Sequence, residues 1–441
     1  MRLTIVGCGC VGLTVATCFA DMGHQVCCVD TDSEKIDRIN RNQRVFFEPY
    51  LFEMLEKNKE EGRLSFYSKL DEAIESEIFF ITVGTPPKAD GESNLDYVLS
   101  AARNIASKVK RDFMLVVKST VPVGTGDHLK KIISEELNIR GLKVDFSVIS
   151  NPEFLKQGSA VDDFMKTDRI IIGCDDEKGK MKMLELYHSF TLHHYKMIFM
   201  PLKCAEMTKY ATNAMLATKI SFMNEIAHIC EALDIDVDFV RRGIGSDSRI
   251  GYSFTYPGCG FGGSCFPKDI QSFIKTAEQQ GINAKVLKAV YERNLQQKQM
   301  VFTKLQNFFE EELPNRTIGV WGLAYKPETD DIREAPAVEL IGSLLNIGTK
   351  VKAYDPAAMN NVKKQFSSEV EKGRLVLVSN PYTAVEGVDC LVLMTEWKVF
   401  RNPDFSLLQS LMANPVIVDG RNQYERNLLE SMGFLYEGMG R

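Results

Sequence analysis

The chain has 441 residues, of which 44% are hydrophobic and 25% charged, the make-up of an ordinary globular protein and too long for one core, so about three domains are expected. Its net charge of -6 offers no basic surface for nucleic acid or an anionic membrane, so an anionic ligand would have to meet locally placed cations. No apolar run reaches the length of a membrane span, and Met1 leads straight into a strand without the leader of a secretory signal.

In chain order, residues 3–6, 26–30, 78–83, 114–118 and 144–150 read as short apolar strands separated by helical stretches, the rhythm of a parallel sheet wrapped by helices. Residues 202–233 then form a long helix free of glycine and proline, with apolar Met207, Ala211, Met215, Phe222, Ile226 and Ile229. A second long helix follows Gly281, from 284 to 313, and ends at Pro314-Asn315. Two such helices between sheet domains suit a spine with a dimer surface, or a helix buried within a domain, and the pattern leaves both open. Strands resume at 318–321, 350–354, 375–378, 390–394 and 416–418. The expected fold class is α/β, with two doubly wound parallel-sheet (Rossmann-like) domains joined by a long central helical segment. The expected boundaries are 1–200, 201–313 and 314–441.

Gly7-Cys8-Gly9-Cys10-Val11-Gly12 follows the first strand and opens a helix over 13–22. Gly7 makes the tight turn, Gly9 admits a pyrophosphate to the backbone, and Gly12 allows close helix packing. The second strand ends in Asp30, where a carboxylate accepts hydrogen bonds from an adenosine ribose and repels a 2'-phosphate, so NAD is expected rather than NADP. The 11 cysteines are odd in number and scattered, Cys8, Cys10, Cys18, Cys27, Cys28, Cys230 and Cys390 within apolar segments. That usage fits reduced thiols in a cytoplasm better than a disulfide frame. No metal site is expected, since no cysteine pair is matched by a second pair and His193-His194 stands alone.

Cys265 is different. It lies in Gly260-Phe261-Gly262-Gly263-Ser264-Cys265-Phe266-Pro267-Lys268-Asp269, a loop too rich in glycine and polar groups for a core, with Pro267 suited to a helix start and the thiol against that helix's positive end. Such a setting favours a thiolate nucleophile over a buried structural cysteine. Lys209 and Asn213, four apart, share a helix face. Thr120, and Glu153 in Asn151-Pro152-Glu153-Phe154-Leu155, follow strand carboxyl ends, where doubly wound sheets bind ligands.

Taken with Val83-Gly84-Thr85-Pro86, the run 118–125, Gly322-Leu323-Ala324-Tyr325-Lys326 and Asp331-Ile332-Arg333-Glu334, these segments resemble the nucleotide-sugar dehydrogenases, the UDP-glucose/GDP-mannose dehydrogenase family, over nearly the whole chain. The resemblance implies an NAD-binding first domain, a central domain carrying the cysteine loop, and a UDP-sugar-binding third domain. It implies a four-electron oxidation of a sugar C6 alcohol to a carboxylate, with two NAD used in succession. UDP-glucose is the expected substrate, with GDP-mannose and UDP-N-acetylmannosamine as the alternatives, and a silent NAD or nucleotide-sugar sensor as the non-catalytic one. By resemblance Cys265 captures the aldehyde as a thiohemiacetal that is oxidised to a thioester and hydrolysed. Lys209 and Asn213 stabilise the oxyanion, Asp269 assists proton transfer and water activation, and Thr120 and Glu153 act in acid/base steps. Cofactor contacts carry over to Gly7, Gly9, Val11, Gly12, Asp30, Lys35, Thr85, Thr120, Glu153, Lys268 and Arg333. Substrate contacts carry over to Glu153, Phe154, Leu155, Lys209, Asn213, Gly262, Lys326 and Arg421, and to Arg249 reaching from the second subunit of a homodimer. One departure is Gln157, where the family often has a glutamate: an amide cannot act as a base there, which leaves that work to Glu153 and Asp269.

Overall fold

The computed structural model describes residues 1–190 and 196–441; His193-His194 lies outside the described residues. They pack as two units, one of Met1–Thr212 with Gln271–Ile282, the other of Asn213–Ile270 with Asn283–Arg441.

The first unit is built on eight strands: β1 (Arg2–Val6), β2 (Gln25–Val29), β3 (Leu64–Tyr67), β4 (Ile78–Ile81), β5 (Phe113–Val117), β6 (Phe146–Ser150), β7 (Ile170–Gly173) and β8 (Met197–Met200). Their order is β3-β2-β1-β4-β5-β6-β7-β8. Strand β1 pairs parallel with β2 on one side and β4 on the other, Val6 standing against both Val29 and Ile81. The order therefore reverses at β1, and the crevice beyond its carboxyl end is where such a sheet receives ligands. Helices α1 (Cys10–Asp21), α2 (Ser33–Asn40), α3 (Leu51–Glu60), α4 (Asp96–Ala106), α5 (Thr125–Ile139), α6 (Ala160–Met165) and α7 (Glu177–Tyr187) cover it. Strand alternation divides the core between the two faces: Phe80 joins Phe19 and Val116 in one, while Phe79 joins Ile105, Leu115 and Leu129 in the other. The sheet departs from expectation in two ways. Strands β3, β7 and β8, each of four residues, were not expected, and β7 meets β6 antiparallel through Ser150 and Gly173. Helix α1 also begins three residues early, inside the glycine motif.

Four helices follow: α8 (Leu202–Ala232), α9 (Val237–Gly245), α10 (Phe266–Gln279) and α11 (Lys285–Phe309). On α8 the buried face is Ala205, Tyr210, Ala214, Ala217, Met223, Ala227 and Cys230, whereas Met207, Met215, Phe222 and Ile229 are exposed. The apolar residues named from the sequence thus lie largely outward, while alanines supply four of the seven buried positions, beside Tyr210, Met223 and Cys230. Helix α11 stops at Phe309, ahead of Pro314, where Glu310 takes a φ of 49° and a tighter turn continues to Asn315.

The second unit has six parallel strands, β9 (Thr317–Trp321), β10 (Lys350–Tyr354), β11 (Leu375–Leu377), β12 (Cys390–Leu393), β13 (Val416–Asp419) and β14 (Leu435–Glu437), ordered β11-β10-β9-β12-β13-β14. The turn after β9 repeats a device of the first sheet: the carboxylate ending the next strand, here Asp355, accepts the N–H groups of Leu323 at 2.7 Å and Ala324 at 3.1 Å. It also accepts from the amides of Ala357 and Ala358 and the indole of Trp397. Five donors fill a carboxylate's roughly four lone-pair sites. Helix α12 (Pro336–Asn346) follows that turn.

Candidate active site

In the first unit the glycine motif turns β1 into α1. A side chain at Gly12 would place its Cβ 1.8 Å from the Gly7 carbonyl oxygen, so only glycine lets α1 approach this closely. Thr82 fixes the turn, its hydroxyl donating to the same carbonyl at 2.8 Å. Asp30 accepts the Cys8 N–H at 2.8 Å, the Asp32 N–H at 3.0 Å and the Lys35 ammonium at 2.9 Å. Burial raises its affinity for a proton, but these bonds outweigh burial and hold the carboxyl below its ordinary range. Gly7, Asp30, Leu70, Val83, Tyr97 and Lys108 help line a cavity of about 330 Å³, a space of nucleoside size with a carboxylate where a ribose diol would lie. Val11 is in the first turn of α1. Thr85 donates its hydroxyl to the Thr120 carbonyl at 2.9 Å, joining the loops after β4 and β5. The residues present therefore fit a dinucleotide.

Beyond β6, the loop 151–155 carries Glu153, which forms a buried ion pair with Lys209 at 3.3 Å. Its other oxygen accepts the Leu155 N–H at 2.5 Å, which fixes the carboxylate's direction. Two cations lie over the Phe154 ring, Lys209 Nζ 5.0 Å and the Arg169 guanidinium 4.2 Å from its centre. Lys118 is a functional candidate to which the sequence assigned no role. Its ammonium donates to the Asn151 carbonyl and side chain at 3.3 and 3.1 Å. Burial pushes it down to about 8, with Glu153 raising it and Lys209 lowering it. Glu206, one turn before Lys209 on α8, accepts the N–H groups of Gly124 and Gly126 at 2.6 and 2.8 Å and so ties the loop after Thr120 to that helix. Gln157 lies half-buried in the turn before α6, beside Gly158 whose N–H is held by buried Glu48.

The second unit holds the thiol. Cys265 occupies the cap position of α10, its carbonyl accepting the Asp269 N–H at 2.8 Å, with Pro267 in the first turn. The sulfur therefore lies at the positive end of a 14-residue helix. It also sits in the electrostatic field of Arg333, whose own proton is held more firmly by Asp331 and then by that sulfur. Asp269 is buried between Asn213, which donates at 2.6 Å, and Lys268 at 2.5 Å. Asn213, from α8, thus reaches the first turn of the cysteine helix. Gly262 lies on the backbone of Glu334, where any Cβ would come within 2.2 Å of its carbonyl oxygen. Arg421 donates to the Met394 carbonyl at 2.8 Å and pairs with Glu396 at 3.2 Å, and Lys326 Nζ lies 6.0 Å from the Tyr325 ring centre. Arg249 is paired with Asp247 on the surface, its side chain 87% exposed.

A glycine-turned crevice at the switch point of a doubly wound sheet, with a carboxylate at the ribose position, is the mark of a dinucleotide-binding protein. The chain belongs to the UDP-glucose/GDP-mannose dehydrogenase family: its NAD binding, central and UDP binding domains match residues 1–191, 203–296 and 319–426. NAD is accordingly the cofactor. A UDP-glucose 6-dehydrogenase of Pseudomonas aeruginosa is 46% identical over 442 residues, covering all of this chain and 98% of that one. Another, of Rhizobium meliloti, is 40% identical with both chains fully covered. Among solved structures, a UDP-glucose dehydrogenase from Pyrobaculum islandicum superposes with a TM-score of 0.89 at 35% identity, covering all of this chain and 97% of that one.

Proposed function

We propose that the protein oxidises UDP-glucose to UDP-glucuronate, consuming two NAD and one water. The observation that carries this reading is the thiol at the start of α10, beside Arg333 and next to the buried Asn213–Asp269 pair. NAD, when bound, supplies the hydride acceptor for each of the two oxidations. The residues do the rest. Cys265 as thiolate adds to the C6 aldehyde and holds it first as a thiohemiacetal and then as a thioester, so no free aldehyde is released. Lys209 and Asn213 offer donors to the oxygen on which negative charge develops, and Glu153, oriented by Leu155, exchanges protons with water positioned by Thr120. Asp269, held by Asn213 and Lys268, accepts the proton of the water that cleaves the thioester. Lys326 and Arg421 would contact the diphosphate, offsetting charge that a protein of net charge -6 would otherwise repel.

The test is stoichiometric. Two NADH should form per UDP-glucose consumed, and a ratio of one would reduce the protein to a simple alcohol dehydrogenase. Turnover on GDP-mannose or UDP-N-acetylmannosamine exceeding that on UDP-glucose would overturn the substrate.

The domains expected at 1–200, 201–313 and 314–441 are proposed as the working division into cofactor, thiol-bearing and UDP-sugar parts, and the three family matches support it. We further propose a homodimer formed through α8. Met215, Phe222 and Ile229, seven apart, leave an exposed apolar stripe on that helix, and Arg249, exposed and paired with Asp247, would exchange that partner for the neighbouring subunit's substrate. Light scattering should give twice the chain mass, and Phe222→Glu should halve it; a monomeric parent protein would refute the dimer. Among the described residues no helix is long and apolar enough to cross a membrane. A cytoplasmic location is proposed, with fractionation of cells as its check.

A further inference from the structure

We propose that Asn294 and Gln297 of α11 are positioning residues for the Cys265 thiol, acting through the backbone of the loop that leads into it. The proposal rests on Cys265 being the nucleophile. Helix α11 buries a stripe of Val290, Val301 and Leu305, and Asn294, Gln297 and Lys298 fall within that same stripe, each at most 1% exposed. Amides in such a place cost free energy unless fully hydrogen-bonded, and the partners they find belong to one short segment. Asn294 accepts the Phe261 N–H at 2.8 Å and donates to the Phe261 carbonyl at 3.0 Å. Gln297 donates to the Gly258 carbonyl at 2.6 Å, and Asn224 of α8 accepts the Gly258 N–H at 2.9 Å. The Gln297 oxygen faces His228 and Arg293, which turns its amide nitrogen toward the loop. Both ends of the run 258–261 thus have their backbone donor and acceptor held by side chains.

The opposite side of the loop is fixed as well. The Gly263 N–H donates to the Arg333 carbonyl at 2.8 Å. The adjoining Glu334 is tied by its carboxylate to Lys298 at 2.8 Å, and Lys298 also holds Glu339 at 2.6 Å. A cysteine following four glycines in eight residues would otherwise wander, since each unrestrained residue retains about 1–2 kcal/mol of backbone entropy. Placement errors near 1 Å cost about a hundredfold in rate. The clamp removes that freedom before substrate arrives.

The experiment compares Asn294→Ala, Gln297→Ala and Cys265→Ala in the full-length enzyme. The readouts are kcat, KM for NAD, melting temperature, and the pH profile of Cys265 alkylation by iodoacetamide, resolved by mass spectrometry. For Asn294→Ala, kcat should fall roughly a hundredfold with KM for NAD within about twofold of the parent, and the alkylation midpoint should move to higher pH. Gln297→Ala, losing one bond of the clamp, should show the same changes at about tenfold and decides the matter if Asn294→Ala does not fold. A folded variant with a lower melting temperature but parental kcat and alkylation profile would overturn the proposal, leaving these amides a merely structural role. A Cys265→Ala enzyme that still turns over would defeat the nucleophile itself, whereas an inactive one beside a fully active Asn294→Ala defeats only the clamp.

Discussion

Cys265→Ser is expected to abolish sustained NADH formation, lowering turnover by about a thousandfold or more, while binding of NAD and UDP-glucose stays near the parent's. The thiol of a free cysteine loses its proton near pH 8.5, whereas a serine hydroxyl stays un-ionised at neutral pH and is a far poorer nucleophile. The first oxidation needs no sulfur, so the variant should give at most one limited release of NADH from the alcohol step. It should then stall, because the aldehyde is no longer held in an oxidisable adduct. Rapid mixing separates this limited release from steady turnover, and equilibrium titration reports nucleotide binding. Turnover within about tenfold of the parent would remove covalent capture from the mechanism.

The second large effect concerns Lys209. In Lys209→Met the buried Glu153 loses its 3.3 Å partner, and removing one member of such a pair costs about 3–5 kcal/mol because a charge is left uncompensated. The loss should lie toward the lower end, since Lys118 also stabilises the Glu153 charge. Catalysis should fall about 10²–10³-fold, as for other lost oxyanion donors. Lys209→Met/Glu153→Gln separates the two roles. With both charges gone, thermal stability should return to near the parent value, while kcat remains at or below that of the single variant. If the double variant recovers turnover along with stability, Lys209 serves the fold and not the chemistry.

Much of this was legible in the residues themselves. The alternation of short apolar runs with helical stretches revealed ten of the strands, several of which, such as β4, β5 and β12, are buried along their whole length and hydrophobic throughout. Strands β3, β7, β8 and β14 escaped: Leu64–Tyr67 and Leu435–Glu437 mix apolar with polar residues over only four and three positions, too few to show a period. The apolar positions noted along α8 were mostly exposed ones for a related reason: alanines mark the buried side of a helix more faintly than Phe222 and Met215 mark the other. Within the site, Cys265, Asp30 and the glycines announce themselves through local chemistry. Lys118, Glu206 and Asn294 do not, since their partners lie roughly 33 to 82 positions away in sequence and a fold is needed to bring them together. A signal for Asn294 and Gln297 was nonetheless present, as two amides and a lysine interrupting the apolar stripe of α11 at helical spacing.

Asp355 bears on the order of events. Its Asp30 counterpart accepts three donors and opens onto a nucleoside-sized cavity, whereas Asp355 is saturated by five and has no lone pair left for a sugar hydroxyl. Among the described residues only the Asp30 turn of these two keeps such an opening. Under the proposed two-step oxidation, the reduced carrier would depart and a fresh one dock midway through the conversion, with the half-finished sugar tethered while that exchange takes place.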